Sequence, residues 1–258
     1  MVIQHGVVCG RSNWLYLFAG NNSLMDYHVG AKQLSEAEVR GWKTTLQLRH
    51  AWHHQRGIQY LHVVAPNKIC VYPEFYPEAL TILGDRPILQ LIKTCGDLLI
   101  YQQDCLLEKK KDFVLYHETD THWNQIGSFF AYQQIMELLG SPYSQEALSI
   151  QELRLFQKEI VGDLGRRFSP PKSHVAQLAG VHRPKAHKTF DNEVTNRGLI
   201  KKFENASGVV GKILIFGDSF THSLIPFFAE SFQSVIYCHA EFVDFEYIEI
   251  EKPDIVLS

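Results

Sequence analysis

Short apolar segments bounded by turn residues recur along this 258-residue chain, and they alternate with segments of helical periodicity. A short apolar run is typical of a strand buried on both faces. Strands that alternate with helices favour a parallel sheet covered by helices on both faces. The predicted strands are residues 58–66, 97–102, 113–116, 212–218, 234–240 and 254–258. The predicted helices are residues 35–55, which open with the capping box Ser35-x-x-Glu38, 127–140 and 223–232.

Composition sets the class of protein and excludes one class of partner. The chain is 45% hydrophobic and 21% charged, which is typical of a globular protein with a full core, so we expect a single domain over residues 1–258. The net charge is −3 and basic runs are short, so we expect no nucleic-acid partner. Residues 162–210 contain paired prolines and little periodicity, which predicts an irregular excursion from the α/β core.

Cysteine usage and the N-terminus bear on the compartment. The chain has 5 cysteines, an odd number, and no CxxC pair. This pattern favours reduced thiols over a disulfide framework or a zinc knot. No basic segment followed by an apolar one marks a secretory signal, and no apolar stretch is long enough to cross a bilayer. From these features we expect a cytoplasmic protein, with a mature or excised domain of another compartment as the alternative.

The predicted strand 212–218 runs into Gly217-Asp218-Ser219, just before a predicted helix. Ligands gather at the carboxyl ends of parallel strands, which makes Ser219 a candidate nucleophile. The helix dipole could stabilise an oxyanion there, and the Ser219 N–H is one donor. The alternative is a plain tight turn in which Asp218 caps the helix.

A serine nucleophile needs a base, and Asp120-Thr121-His122 offers one. Residues at i and i+2 of an extended segment project to the same side, so Asp120 could accept the Nδ1 proton of His122 and leave Nε2 as the base. Because the motif follows the predicted strand 113–116, we expect it at the same sheet edge as Ser219. Two alternatives stay open: Asp120 or Thr121 caps the helix near Trp123, or Asp120 and His122 bind a metal.

Four further residues are weaker candidates for substrate binding. Trp123 and Asn124 flank the predicted base and could stack on or hydrogen-bond a sugar, although Trp123 could equally be a core residue. Lys68 ends a predicted strand and could reach the same edge. Arg166 lies in the irregular excursion and could meet an anionic glycan, with a solvated surface position as the alternative.

The two motifs together resemble a known family. The GDSF block resembles the first block of SGNH hydrolases, in most of which the serine precedes an Asp-x-x-His pair. Here TDTHWN comes first and GDSFT follows, and this permuted order resembles the SGNH hydrolase-like family of the alginate O-acetyltransferases AlgX and AlgJ, which act on exopolysaccharides. The other segments that resemble this family are residues 10–23, 63–74, 162–165 and 252–258.

The resemblance implies a fold, an activity and partners. The fold would be a flavodoxin-like α/β domain, with Ser219 as nucleophile, His122 as general base and Asp120 as its orienting carboxylate. The activity would be carbohydrate O-acetyl transfer or acetyl-ester hydrolysis through an acetyl-serine, with no metal or organic cofactor. The partners would be a polysaccharide and a membrane-bound acyltransferase that supplies acetyl groups, and the compartment would be the periplasm.

Two other functions remain open for the same fold. One is a catalytically silent glycan-binding or scaffold protein of a polysaccharide assembly system. The other is a lipase or thioesterase, which would require a wide apolar groove beside Ser219.

Overall fold

The computed structural model describes residues 2–18 and 23–258, so residues 19–22 of the N-terminal block that resembles the family lie outside the described residues. The chain divides into two compact units. The first unit comprises Met1–Gln47, Val64–Gly127 and Phe156–Leu178, and the second comprises Leu48–Val63, Ser128–Leu155 and Ala179–Ser258. Because each unit is assembled from separated segments, the division is not one between consecutive domains. A single domain over residues 1–258 stays a prediction.

The secondary structure alternates between strands and helices, as the sequence pattern predicts. In the described part of the chain the strands are β1 (Ile3–Gln4), β2 (Val7–Cys9), β3 (Leu15–Leu17), β4 (Gln59–Leu61), β5 (Val63–Val64), β6 (Ile100–Tyr101), β7 (Leu153–Ile160), β8 (His174–Val181), β9 (His187–Asp191), β10 (Ile200–Glu204), β11 (Val209–Gly217), β12 (Phe232–His239) and β13 (Ile255–Leu257). The α-helices are α1 (Leu24–His28), α2 (Glu36–His54), α3 (Lys68–Val71), α4 (Pro87–Cys95), α5 (Gln103–Lys109), α6 (Gln125–Leu139), α7 (Ile225–Ser231) and α8 (Phe245–Glu251). None of these helices is both long and apolar enough to cross a membrane.

A six-stranded sheet forms the centre of the second unit, in the order β4-β13-β11-β12-β10-β9. The four strands β4, β13, β11 and β12 are parallel, whereas β10 and β9 continue the sheet in antiparallel fashion. The predicted α/β class with a mostly parallel sheet is therefore confirmed. The predicted irregular excursion over residues 162–210 is largely wrong, because β8, β9 and β10 lie in it.

The second half of strand β11 shows why residues 213–216 are apolar at every position. Ile213, Leu214 and Ile215 are 0% exposed, so both faces of the strand are covered. On one face, Leu214 belongs to a core cluster with Ile248 of α8, and Trp52 of α2 packs against the same cluster. Helix α7 packs against the neighbouring strand β12. A strand that is buried in this way matches the predicted interior position of a parallel sheet.

The predicted strand 113–116 is not a strand of this structure, although its apolar residues are buried. Tyr116 forms only an isolated antiparallel bridge with Trp123. The backbone of Leu115 is instead paired outside any sheet: its N–H donates to the Tyr72 hydroxyl (2.9 Å), and its carbonyl accepts from the Asn124 N–H (2.9 Å). The expectation that the Asp120–His122 motif follows a strand of the sheet is therefore wrong.

Burial of β11 predicts a large cost for truncating its central side chain. We expect Leu214→Ala to lower the free energy of unfolding by about 2–5 kcal/mol, because it leaves a cavity in a closed core. Leu48→Ala, at a leucine that is 65% exposed, is the matched control and should change stability by less than about 0.5 kcal/mol. Denaturant unfolding of both variants measures the difference, and equal losses would contradict the described core.

Candidate active site

The turn after β11 presents Ser219 at the protein surface. The strand ends at Gly217, where an added Cβ would lie 2.1 Å from Thr221 Oγ1, so only glycine lets the chain turn this tightly. Ser219 is exposed. A short 3-10 turn, Thr221–Ser223, separates it from α7, which begins at Ile225. The α-helix therefore starts later than residue 223, the start that the sequence predicts.

Asp218 holds this turn in shape. Its Oδ1 accepts a hydrogen bond from the Phe220 N–H (2.9 Å), and its carbonyl oxygen accepts one from the Tyr237 hydroxyl (3.0 Å). The alternative prediction of a tight turn in which Asp218 caps the helix holds for the turn alone, because the N-cap position of α7 is Leu224 and no side chain caps that helix. This role of Asp218 in the turn and a reactive Ser219 are compatible, because the turn fixes the backbone on both sides of the serine.

Asp120 and His122 form a close pair in the first unit. Asp120 Oδ1 lies 2.7 Å from His122 Nδ1 and also accepts the His122 backbone N–H at 3.0 Å. The other carboxylate oxygen, Oδ2, accepts the Asp163 N–H at 2.8 Å. With Nδ1 facing the carboxylate, the proton of a neutral imidazole lies on Nδ1 and Nε2 is the basic nitrogen.

These hydrogen bonds set the protonation state of the carboxyl group. Burial alone would raise the pKa of Asp120, but the bonds from His122 and from the Asp163 N–H hold that pKa well below its usual range. Asp120 is therefore ionised at neutral pH. It can orient the imidazole of His122 and stabilise the imidazolium that a base becomes when it takes a proton.

Asp163 is a site residue to which the sequence analysis assigns no role. Its Oδ1 accepts the Thr121 N–H (2.8 Å) and its Oδ2 accepts the Thr121 hydroxyl (2.7 Å), while its own N–H binds Asp120. The preceding Gly162 is equally constrained, because a Cβ there would lie 2.3 Å from the Thr119 carbonyl oxygen. The GDLG segment, residues 162–165, therefore contacts the Asp120–His122 loop closely and fixes its backbone. The only sequence signal was its resemblance to a family segment.

Lys68 supports the same loop from a buried position. It is 4% exposed, and its Nζ donates to the carbonyls of His117 (3.0 Å), Glu118 (3.0 Å) and Asp120 (2.6 Å). Burial lowers the pKa of Lys68 to about 7, although the nearby carboxylates of Asp120, Asp163 and Glu118 oppose that change. The placement corrects the predicted substrate contact at the sheet edge, because all three donors of the ammonium already point to this loop.

Trp123 and Asn124 are also buried, at 3% and 2% exposure. Asn124 Oδ1 accepts the N–H groups of Ile126 (3.0 Å) and Gly127 (2.9 Å), and its Nδ2 donates to a backbone carbonyl at 2.7 Å. Asn124 is thus the N-cap of α6, and the alternative prediction that Asp120 or Thr121 caps this helix is wrong. These contacts account for Asn124 without a sugar, and the burial of Trp123 matches its alternative as a core residue.

Arg166 differs from these residues because it is exposed. It lies in the 3-10 turn Gly165–Arg167, and its backbone N–H donates to the Gly162 carbonyl (3.0 Å). The side chain is accessible to solvent, so both a contact with an anionic glycan and a solvated position stay predictions.

The Asp120–His122 pair also bears on the metal alternative. Ligand atoms of Asp120, His122 and Asp163 lie within 4.8 Å of one another, and such a set could hold a metal ion. The carboxylates, however, already accept hydrogen bonds from His122, Thr121 and the Asp163 N–H. These bonds suit a pair that orients an imidazole, because a metal would compete with them for the same oxygens.

Ser219 belongs to the second unit, whereas Asp120 and His122 belong to the first. The position of Ser219 is therefore given within the second unit and that of the Asp120–His122 pair within the first. A triad of Ser219, His122 and Asp120 stays a prediction.

The close packing around Gly162 yields a prediction about stability. We expect Gly162→Ala to cost about 2 kcal/mol or more, because the new methyl group overlaps backbone atoms that cannot move independently. Gly41→Ala is the control: Gly41 lies in α2 with nothing within 4 Å of an added Cβ, so alanine should stabilise the protein by about 0.5–1 kcal/mol. Thermal unfolding of both variants tests this, and a neutral Gly162→Ala would contradict the described contact.

The lowered pKa of Lys68 yields a prediction about pH. Between about pH 7 and its ordinary pKa, the unfolded chain binds this proton and the folded chain does not, so the wild-type protein gains stability as pH rises. Lys68→Met lacks this gain. The stability difference between the two proteins should therefore grow by about 2 kcal/mol from pH 7 to pH 9. Urea unfolding across this range measures it, and a constant difference would show that the ammonium keeps its proton.

Comparisons with known proteins bear on both motifs. Residues 7–223 match the family model of the SGNH hydrolase-like domain, acetyltransferase AlgX. This match covers the Asp120–His122 loop, the GDLG segment and Ser219. No match was found among curated protein sequences.

Solved structures share the fold at low sequence identity. PatB1 of Bacillus cereus aligns with a TM-score of 0.69 and 15% identity over 97% of this chain and 94% of its own, and PatB1 has also been solved with a sulfonyl adduct. The O-acetyltransferase domain of Pseudomonas putida AlgJ aligns with a TM-score of 0.55 and 16% identity, over 98% of this chain and 89% of its own. AlgX of Pseudomonas aeruginosa aligns with a TM-score of 0.59 and 13% identity, over 97% of this chain and 60% of its own.

These likenesses show the fold, and the family model shows the membership. The central mostly parallel sheet, the order of the two motifs along the chain and the match over residues 7–223 agree with one another. The chain belongs to the SGNH hydrolase-like family of the acetyltransferase AlgX.

Proposed function

We propose that this protein is a carbohydrate O-acetyltransferase or acetylesterase that works on a polysaccharide through an acetyl-serine. The observation that carries the proposal is the 2.7 Å contact between Asp120 and His122 Nδ1, in a chain of the AlgX acetyltransferase family. An ionised carboxylate on Nδ1 is the arrangement that prepares an imidazole to act as a base. The exposed Ser219, held in a tight turn after β11, supplies the nucleophile.

In the first half of the proposed reaction, Ser219 Oγ attacks the carbonyl carbon of an acetyl ester. His122 Nε2 takes the hydroxyl proton, and Asp120 stabilises the imidazolium that results. The negative charge that develops on the carbonyl oxygen is stabilised by the Ser219 N–H. His122 then returns its proton to the leaving alcohol, and the acetyl group remains on Ser219.

In the second half, a hydroxyl group attacks the carbonyl carbon of the acetyl-serine while His122 Nε2 takes the hydroxyl proton. The bond between the acetyl carbon and Ser219 Oγ then breaks, and His122 returns the proton to Ser219 Oγ. If that hydroxyl belongs to a sugar, the enzyme is a transferase, and if it belongs to water, the enzyme is an esterase. The outcome depends on how well the site holds a sugar hydroxyl in line and excludes water. The polysaccharide is one partner of this scheme, and a membrane-bound acyltransferase that supplies acetyl groups is the proposed second partner.

The structural relatives add one chemical argument. PatB1 has been solved with a sulfonyl adduct, and sulfonyl reagents attach to nucleophilic side chains. Ser219 is the nucleophile that we propose would take such a group here. The periplasm, which the family resemblance implies, is the proposed compartment, and the cytoplasmic location expected from the cysteines stays the alternative.

The mechanism predicts the effect of removing each member of the triad. We expect Ser219→Ala and His122→Ala to lower the rate of 4-nitrophenyl acetate hydrolysis by about 10³-fold or more, and Asp120→Asn by about 10²–10⁴-fold. Mass spectrometry of the wild-type protein during turnover should detect a single acetyl group on the peptide that contains Ser219. Ser234→Ala is the control, because this hydroxyl bonds Glu204 at the surface and should leave the rate unchanged.

The same measurements separate the alternatives. If the folded wild-type protein and Ser219→Ala are equally slow, the acetyl-serine mechanism fails, and the silent glycan-binding function replaces it. If the wild-type protein strongly prefers long-chain acyl esters or thioesters to acetyl esters, a lipase or thioesterase replaces it.

A further inference from the structure

A cavity of about 340 Å³ opens in the second unit at the end of the parallel strands. Phe216, the residue before the Gly217 turn, lines it, and so do Cys238 and His239 at the end of β12. The remaining walls come from residues 197–199, from Ile200 at the start of β10, from residues 240–242 and 244, and from Tyr247 in the first turn of α8. This volume lies at the lower end of the range for small-molecule sites.

The cavity wall is joined to the backbone that carries Ser219. Gly217 and His239 are register partners of β11 and β12, and the Ala240 N–H donates to the Gly217 carbonyl at 3.2 Å. Ser219 follows two residues later. A ligand in the cavity would thus lie at the same end of the sheet as the proposed nucleophile, where ligands of parallel sheets collect.

The walls combine aromatic rings with polar groups. Phe242 lines the cavity and is 64% exposed, so its ring face is accessible to a ligand. Tyr247 and Phe216 provide further ring surface inside. Aromatic faces beside hydrogen-bonding side chains suit a sugar, which has apolar ring faces and polar edges.

The charges of the cavity decide between neutral and acidic sugars. Arg197 is the one lysine or arginine among its described lining residues, and it forms an ion pair with Glu241, which lines the same cavity. Asp244 adds a second carboxylate, whose Oδ1 caps α8 by accepting the Tyr247 N–H (3.0 Å). The described lining thus carries two carboxylates and one guanidinium, and one of the carboxylates is paired with that guanidinium. This balance disfavours a further carboxylate and leaves acceptors for the hydrogen bonds of hydroxyl groups.

We infer that this cavity is the acceptor subsite and that it binds a neutral hexosyl residue of the polysaccharide in preference to a uronate. The inference deepens the proposed function, on which it rests for the role of the bound sugar as acetyl acceptor. Phe242 stacks on the sugar ring, the carboxylates accept its hydroxyl protons, and the Glu241 carboxylate occupies the guanidinium that a uronate would otherwise need.

Binding measurements test the preference directly. The full chain is titrated by calorimetry with β-linked hexamers of mannose and glucose, and with the matching hexamers of mannuronate and glucuronate. We expect at least one neutral hexamer to bind about tenfold or more tightly than its uronate counterpart, since the two differ only in the carboxylate. If a uronate hexamer binds as tightly as its neutral counterpart, or if neither neutral hexamer binds at millimolar concentration, the inference is overturned.

Two pairs of variants locate the binding in this cavity. Phe242→Ala should weaken the neutral hexamer about tenfold, whereas Phe190→Ala, at an exposed ring of β9, should not. Glu241→Gln removes the ion-pair partner of Arg197, so the ratio of the affinity for the neutral hexamer to that for the uronate hexamer should fall several-fold. Glu246→Gln, at the surface of α8, should leave this ratio unchanged. If Phe242→Ala binds like the wild type, the sugar lies elsewhere and the inference is rejected.

Acetyl-ester hydrolysis separates this inference from the proposed function. Phe242→Ala should lower acetyl transfer to the neutral hexamer about tenfold more than it lowers hydrolysis of 4-nitrophenyl acetate, because hydrolysis needs no bound sugar. An equal loss of transfer and hydrolysis, with an unchanged unfolding temperature, would contradict an acceptor role for the cavity. If Ser219→Ala loses no hydrolysis but the binding preference holds, the proposed chemistry fails while the neutral-sugar site stands.

Discussion

The carboxylate of Asp120 links two parts of the chain that are far apart in sequence. Its Oδ1 accepts hydrogen bonds from Nδ1 and from the backbone N–H of His122, and its Oδ2 accepts one from the Asp163 N–H. A buried carboxylate stays ionised only when its oxygens receive such bonds. The position of the imidazole therefore depends on the GDLG turn as much as on its own loop. The Lys68 ammonium also holds this loop, through hydrogen bonds to three of its carbonyls.

The sequence alone predicts the parallel strands well and the first unit poorly. Strands such as β11 are apolar because both faces are buried, and that pattern is visible without a structure. The capping box at Ser35 is also visible, and its bonds form as expected, with the Ser35 N–H donating to Glu38 at 2.8 Å. Residues 113–116 carry the same apolar pattern, yet their backbone pairs with the Tyr72 hydroxyl and with Asn124. Apolar runs report burial, and only tertiary contacts decide which backbone groups pair.

The sequence likewise predicts only some of the contacts in the candidate site. The i, i+2 spacing of Asp120 and His122 was enough to predict their contact, because it depends on local geometry alone. The roles of Lys68, Asn124 and Asp163 were not predictable, because a lysine or asparagine at a loop gives no sign of whether it faces solvent or the backbone of another segment. Their buried hydrogen bonds are long-range in sequence, as with Lys68 and the 117–120 loop, or belong to a helix cap at Asn124, three residues after Thr121, the later of the two predicted caps.

Antiparallel strands lie where the sequence predicted an irregular excursion, and they make β9 an edge strand of the central sheet. Such an edge exposes unpaired N–H and carbonyl groups, which can template pairing with another chain. Here the edge strand carries Lys188 and Asp191, which form an ion pair, and its pairing with β10 shifts register between Lys202 and Phe203. Charged side chains and such irregularities are devices by which natural sheets discourage edge-to-edge growth. Strands β10 and β9 thus enlarge the sheet, and the charged, irregular edge at β9 disfavours backbone pairing with another chain.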